Sequence, residues 1–265
     1  MRHLLAVLLL ALPGFAHAKL EIRDIQASHG QLGPERKSSE YISGDQVYFR
    51  YTIVGMCTDA DGRVRGELRI NVTDAKGKVV GKSESPLQQA VALGGDTIPA
   101  SASFMLNEDL PPGEYELTVE VADLLAKETA SFKRKVTCKA LEFALLQMRF
   151  YYDSAGRAPA RVGGVVGQSV YIKMKGVGFD RSNGELEVEL EIQVLDAKGN
   201  PVMPKPIRAT VHNEKPEEVQ KTEYLALSGT LSLNRPGDFV LRIALTDKMS
   251  KKKVSFEAPL HVTAP

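Results

Sequence analysis

Pro112-Gly113-Glu114-Tyr115-Glu116-Leu117-Thr118-Val119-Glu120-Val121-Ala122-Asp123 returns 124 positions later as Pro236-Gly237-Asp238-Phe239-Val240-Leu241-Arg242-Ile243-Ala244-Leu245-Thr246-Asp247. In both stretches a Pro-Gly turn launches an aromatic and then three aliphatics at every second position, the period of a strand that buries one face. An Asp closes each strand, and a short polar turn leads to a second strand through Ser131-Phe132 or Ser255-Phe256. Each unit is therefore expected to be a hairpin that supplies a core strand to a sandwich.

The recurrence extends outward over most of the chain. Leu20, Ile22 and Ile25 match Phe143, Leu145 and Met148 at an offset of 123, as Gly44-Asp45-Gln46-Val47-Tyr48 matches Gly167-Gln168-Ser169-Val170-Tyr171. At an offset of 122, Leu68, Ile70, Val72 and Asp74-Ala75-Lys76-Gly77 fall on Leu190, Ile192, Val194 and Asp196-Ala197-Lys198-Gly199. This is a tandem duplication, which implies one domain over residues 19–139 and a second over 140–265.

Within each copy the same expected strands recur: Leu20 to Gln26 and Phe143 to Tyr151, Gln46 to Gly55 and Ser169 to Gly178, Val64 to Thr73 and Leu186 to Leu195. The Asp-Ala-Lys-Gly turns follow, each with a Gly suited to positive φ. A variable stretch then leads to Thr97 to Leu106 or Glu223 to Leu233, and the Pro-Gly hairpin completes the set. About seven short strands per copy, with turn signals every 8 to 12 residues or so, imply an all-β chain of two tandem immunoglobulin-like antiparallel β-sandwich domains. No helix longer than a turn or two is expected.

The Pro-Gly-x-aromatic-x-Leu-x-aliphatic-x-aliphatic-x-Asp hairpin, with its Lys- or Ser-bearing turn, resembles the last hairpin of immunoglobulin-like and fibronectin-like modules found in tandem in bacterial exported proteins. The chain departs from that pattern in having no Trp and no cysteine pair between its sheets. The resemblance implies a surface or periplasmic interaction module, and it carries no catalytic residues.

Composition bounds the function classes. Residues 1–18 combine Arg2 and His3, the apolar run Leu4 to Leu12 and the small-x-small triplet Ala16-His17-Ala18, the pattern of a cleaved leader. The apolar run is shorter than the ~18 residues a membrane span needs. Export to the periplasm, cell surface or medium is therefore expected, without membrane insertion after the leader is removed. With Arg2 set aside, basic and acidic residues balance at 33 each, so no global field favours nucleic acid. Cys57 and Cys138 invite a disulfide in an exported chain. The strand order places them at opposite poles, so they are expected to remain unpaired.

Candidate chemistry is sparse. His29, His212 and His261 show no spacing that converges with Cys, Asp, Glu or Ser, and are read as surface residues. Asp59-Ala60-Asp61-Gly62 has the start of a calcium loop but lacks the later ligands, so a turn is the better reading and no cofactor is expected. Lys248, Lys251, Lys252 and Lys253 gather at the last turn, either as a contact for an anionic polymer or as a solvated turn. Phe150-Tyr151-Tyr152 is the densest aromatic run and the first choice for a binding or docking patch. The sequence thus points to a non-enzymatic protein that binds a protein partner in the envelope or outside the cell. A carbohydrate-binding module, a chaperone acting by strand addition and a hydrolase with an interdomain site are the alternatives.

A charge reversal offers a test of topology. Arg63, Arg65 and Arg69 make one strand of the first copy basic, and Glu114, Glu116 and Glu120 make the hairpin strand acidic. In the second copy Glu185, Glu187 and Glu191 stand at those three basic positions, Glu189 keeps the acid of Glu67 between them, and Arg242 lies in the hairpin strand. Adjacent strands, with Arg69 facing Glu116, or a contact between modules would each favour such a swap.

Overall fold

The computed structural model describes residues 19–107 and 109–265, so the expected leader lies outside the described residues. The first half contains β1 (Glu21–Ala27), β2 (Glu40–Ile42), β3 (Gln46–Val54), β4 (Arg63–Asp74), β5 (Val79–Ala90), β6 (Thr97–Met105), β7 (Gly113–Asp123) and β8 (Glu128–Lys139). The second contains β9 (Ala144–Tyr151), β10 (Gly163–Val165), β11 (Ser169–Val177), β12 (Leu186–Asp196), β13 (Ile207–Asn213), α1 (Pro216–Lys221), β14 (Tyr224–Ser232), β15 (Gly237–Asp247) and β16 (Lys253–Thr263). The chain is all-β, and each half is a sandwich of two sheets.

In the first module the sheet β1-β3-β6 packs on β2-β8-β7-β4-β5, and in the second β9-β11-β14 packs on β10-β16-β15-β12-β13. The sheets are antiparallel except where β2 and β10 join the edges parallel to β8 and β16. Alternation does the packing: β3 and β11 bury every second residue, and the aliphatics of the quoted hairpin strands, Leu117, Val119, Val121, Leu241, Ile243 and Leu245, are buried. Each sandwich closes over one apolar core.

The duplication is visible in the backbone as well as in the residues. Asp24 and Gln147, 123 positions apart, both take positive φ, at 54° and 52°, where two residues of β1 or β9 oppose one of the neighbouring strand. This is a β-bulge, which bends the strand and re-aims its side chains. Lys127 and Lys251, both at φ 59°, repeat in the hairpin turns. Gly77 and Gly199 supply positive φ after Asp74 and Asp196, whose carboxylates accept the backbone N–H groups of Lys76 and Lys78, or of Lys198 and Asn200.

The Asp that ends each hairpin strand has a structural task. Asp123 accepts N–H bonds from Leu125 and Ala126 in its own turn and from Cys57 across the sandwich, and Asp247 does the same for Met249, Ser250 and Asp180. Both carboxylates are buried, and together these bonds tie the pole of each module. Cys57 is held at that pole, near Glu128, while Cys138 lies ten residues along β8 opposite Tyr41. At ~3.3 Å per residue that is about 33 Å, far beyond disulfide reach. Both cysteines are free and buried.

Two features differ from the sequence reading. The variable stretches contain edge strands, β5 and β13, so each module has eight strands. Val79–Ala90 shows no clean alternation because nearly all of it faces solvent, and it carries Pro86, which an edge tolerates. These strands also resolve the charge reversal. β4 does lie beside β7, but Arg69 faces and bonds Glu120 there, while Glu116 bonds Lys133 of β8. In the second module Ala244 faces Glu191 across β15. The swap sits on the other side, where Arg69 is opposite Glu84 and Glu191 is opposite Arg208.

Tyr115, near the start of β7, donates its hydroxyl to the carbonyl of Pro111 at 2.5 Å, the tyrosine-corner arrangement of immunoglobulin-like sandwiches. The second module has Phe239 at this place. Tyr115→Phe should lower the stability of the first module by about 1 kcal/mol in chemical denaturation. An unchanged midpoint would show that the bond contributes nothing.

Candidate binding face

The residues singled out in the sequence do not meet at one place. Asp59 accepts the N–H groups of Asp61 and Arg63 and the side chain of Arg65, so its carboxylate closes a turn. Those bonds hold its pKa below the usual carboxylate value, the Arg63 N–H contributing most. Among the described residues no group of three or more His, Cys, Asp or Glu is placed to hold a metal. Lys248 pairs with Glu189, and Lys251, Lys252 and Lys253 are exposed around the last turn. Phe150 belongs to the core of the second module at 3% exposure, Tyr151 is half-buried and Tyr152 is 45% exposed.

His29 departs from the expected surface position. It lies at the module junction with its ring edge-on to Phe256 of β16, the centroids 4.8 Å apart. Burial pulls its pKa down to about 4, with Arg36 adding to the shift and Asp45 opposing it. His212 and His261 sit in exposed contacts with Glu214 and Asp238.

The junction is built on the bulge of β9. With Gln147 in the left-handed region, its N–H reaches Asp45 Oδ1 at 3.2 Å and its side-chain amide donates to the Gly44 carbonyl at 3.0 Å. Asp45 is almost wholly buried and also holds Arg36 at 2.7 Å and the N–H of Gln46 at 2.8 Å. Beside it Ala144, Leu146 and Val177 pack with Ile42. The matching positions of β1 carry Glu21 and Arg23, an exposed ion pair, in place of Ala144 and Leu146. One end of the duplicated unit is thus apolar and docks, while its twin is charged and stays wet.

The same bulge shapes the outer faces of the three-stranded sheets. In the first module Gln26, Arg50 and Ser101 stand in one row across β1, β3 and β6, and in the second Arg149, Lys173 and Ser228 stand in the matching row across β9, β11 and β14. Each row lines a cleft, of about 390 Å³ in the first module and about 380 Å³ in the second. A smaller pocket of about 60 Å³ at the junction shares Gln31 and Leu32 with the first cleft and Arg149 and Tyr151 with the second. The three concavities form one track across both modules.

The electrostatics of this track are dominated by cations, Asp24 being the one carboxylate among its described lining residues. Arg50, Arg149, Arg161, Lys173 and Lys175 line it, and among the described residues none of the five makes a salt bridge. β9, β11 and β14 contain no acidic residue at all. Neutral groups hold the cations instead: Lys175 Nζ lies 4.1 Å from the centre of the Tyr224 ring, Lys173 donates to the Ala155 carbonyl and Arg50 donates to Gln26. The Nε atoms of Arg50 and Arg149 are buried without a partner among the described residues. Burial and the nearby charge of Arg161 push the pKa of Arg50 down. Nothing in the sequence flagged this face, because its cations come from β3, β9, β11 and, for Arg161, the loop before β10, and are neutralised only in the formal count.

No protein-family model matches the chain, and no curated protein is similar to it in sequence. Among solved structures, red sea bream transglutaminase is similar over 93% of this chain at 8% identity and a TM-score of 0.29, and the chain spans 31% of the enzyme's length. The C-terminal domain of the AgI/II polypeptide BspA of Streptococcus agalactiae is similar over 91% of this chain and 99% of that domain, at 12% identity and a TM-score of 0.29. A further structure titled BspA_C_WT gives 12% identity and a TM-score of 0.30 over 89% of this chain and 99% of that one. With scores this low, the fold is defined by the strand topology itself.

Proposed function

We propose that the protein is an exported, non-catalytic binding protein that engages a component of the cell envelope or its surroundings through the outer faces of β1-β3-β6 and β9-β11-β14. The observation that carries this reading is the track of five cations, none in a salt bridge among the described residues, which runs over the matching rows of both modules with Arg50 and Lys173 at equivalent positions. Uncompensated charge in a concave surface costs stability and is retained where a partner supplies the opposite sign. The dispersed histidines and the carboxylates committed to turns offer no convergent set for acid–base or nucleophilic chemistry, which favours binding over hydrolysis.

The test is affinity capture from the native envelope fraction with the wild-type protein and with Lys173→Glu/Lys175→Glu. A component retained by the wild type and lost from the variant is expected. Equal retention by both proteins, or none by the wild type, would overturn the reading.

A further inference from the structure

We infer that the occupant of the track is an acidic polysaccharide, its anionic groups held at two stations, Arg50 with Arg161 and Arg149 with Lys173 and Lys175. This deepens the binding function proposed above and rests on it. Three observations select that chemistry.

First, apart from Asp24 in the first cleft, the polar lining of the track is cations and neutral hydrogen-bonding groups, among them Gln26, Gln31, Ser101 and Ser228. Sugar hydroxyls match such groups, and uronate or sulfate groups match the cations. Second, the aromatic groups stand beside the cations. Tyr224, at 44% exposure, carries Lys175 on its ring, and Lys173 lies 5.8 Å from the centre of the Tyr151 ring. This pairs an anion contact with a flat apolar surface for the face of a sugar. Third, Tyr224 is the one large exposed apolar residue on the track among the described residues, and the exposed aliphatics, Val79, Leu93, Leu124, Leu125, Val202 and Ile207 among them, lie outside it. A protein interface of ordinary size has an apolar centre, and a lipid surface needs inserting side chains. The exposed aliphatic side chains that either would use lie elsewhere on the molecule.

The second station is the stronger one. Asp24 lines the first cleft, whereas no carboxylate lines the second. Two stations on a junction fixed by Asp45 and Gln147 also give an extended chain two simultaneous holds, so that losing one should cost more than its share.

The experiment is calorimetric titration of the purified protein with alginate, a polyuronate. Neutral dextran, a single-stranded oligonucleotide of equal charge and vesicles containing anionic lipid serve as comparisons. Alginate should bind, weaken as salt is raised and lose at least about tenfold in affinity with Lys173→Glu/Lys175→Glu. Arg50→Gln should have a smaller effect, and Lys251→Glu/Lys252→Glu none. Tyr224→Ala should weaken binding without altering its salt dependence. Circular dichroism and unfolding midpoints confirm that each variant is folded. Oligonucleotide or vesicle binding as tight as that of alginate, equal binding of dextran, or indifference to the Lys173 and Lys175 variant each overturns the inference. If the envelope component is captured through the face while no polysaccharide binds, the binding face stands and the glycan chemistry falls. If capture too is indifferent to the variant, both fall.

Discussion

Asp45→Ala should be the most damaging single substitution at the junction, lowering stability by about 3 kcal/mol. The carboxylate is one of the few buried charges among the described residues, and three groups converge on it: the Arg36 guanidinium, the N–H of Gln46 and the N–H of Gln147. Removing it leaves Arg36, whose side chain is 16% exposed, over the Tyr41 ring without its counter-charge. It also leaves the bulge N–H of the second module without an acceptor. The effect should therefore appear in two readouts, a shifted denaturation midpoint and faster tryptic cleavage after Lys139, just before the second module begins. Gln168→Ala is the matched control, because the exposed Gln168 occupies the equivalent position and bonds only the nearby Val165 N–H. A loss below about 1 kcal/mol for Asp45→Ala would show that the junction does not depend on this carboxylate.

Acidification should weaken the same junction through His29. In the fold His29 stays neutral down to about pH 4, whereas in the unfolded chain it takes a proton near pH 6.5. Between these values the unfolded state binds more protons, so stability falls as the pH drops from about 6.5 towards 4. This group's contribution is level above and below that window. A shift of this size corresponds to at most about 3.4 kcal/mol. Arg36 and Asp45 of the first module act on the ring and Phe256 of the second packs against it, while Arg149 lines the same small pocket. In His29→Gln the pH dependence should flatten over the window, and the difference in unfolding free energy between the two proteins should shrink as the pH falls. Parallel curves would sink the assignment.

The expected effects at Asp45, His29 and the basic track all arise where the two modules meet or where three strands come side by side. The strands themselves were legible in the sequence wherever one face is buried. Tyr115, Leu117, Val119 and Val121, like Phe239, Leu241, Ile243 and Leu245, announce a strand because alternation is the direct image of a sheet with one wet side. β5 and β13 escaped for the opposite reason. Both faces of an exposed edge strand are polar, so Val79–Ala90 has no alternation to read. The Asp-Ala-Lys-Gly turns were readable because a positive φ and an Asp side chain that bonds its own backbone are local matters.

The sequence by itself determined an all-β chain, its duplication and the positions of its buried strands, since these depend on residues a few places apart or on the comparison of one half with the other. It also separated Cys57 from Cys138, because strand order alone sets them at opposite poles. Only the tertiary structure decided that the second module docks on the first. That outcome depends on Ala144 and Leu146 meeting Ile42 and on Asp45 meeting Gln147, contacts about a hundred residues apart in the chain. Only the tertiary structure decided, too, that Arg50, Arg149, Arg161, Lys173 and Lys175 share one face. A formal charge count adds every residue with equal weight, whereas the field a partner meets depends on which charges have already found a carboxylate and which have not.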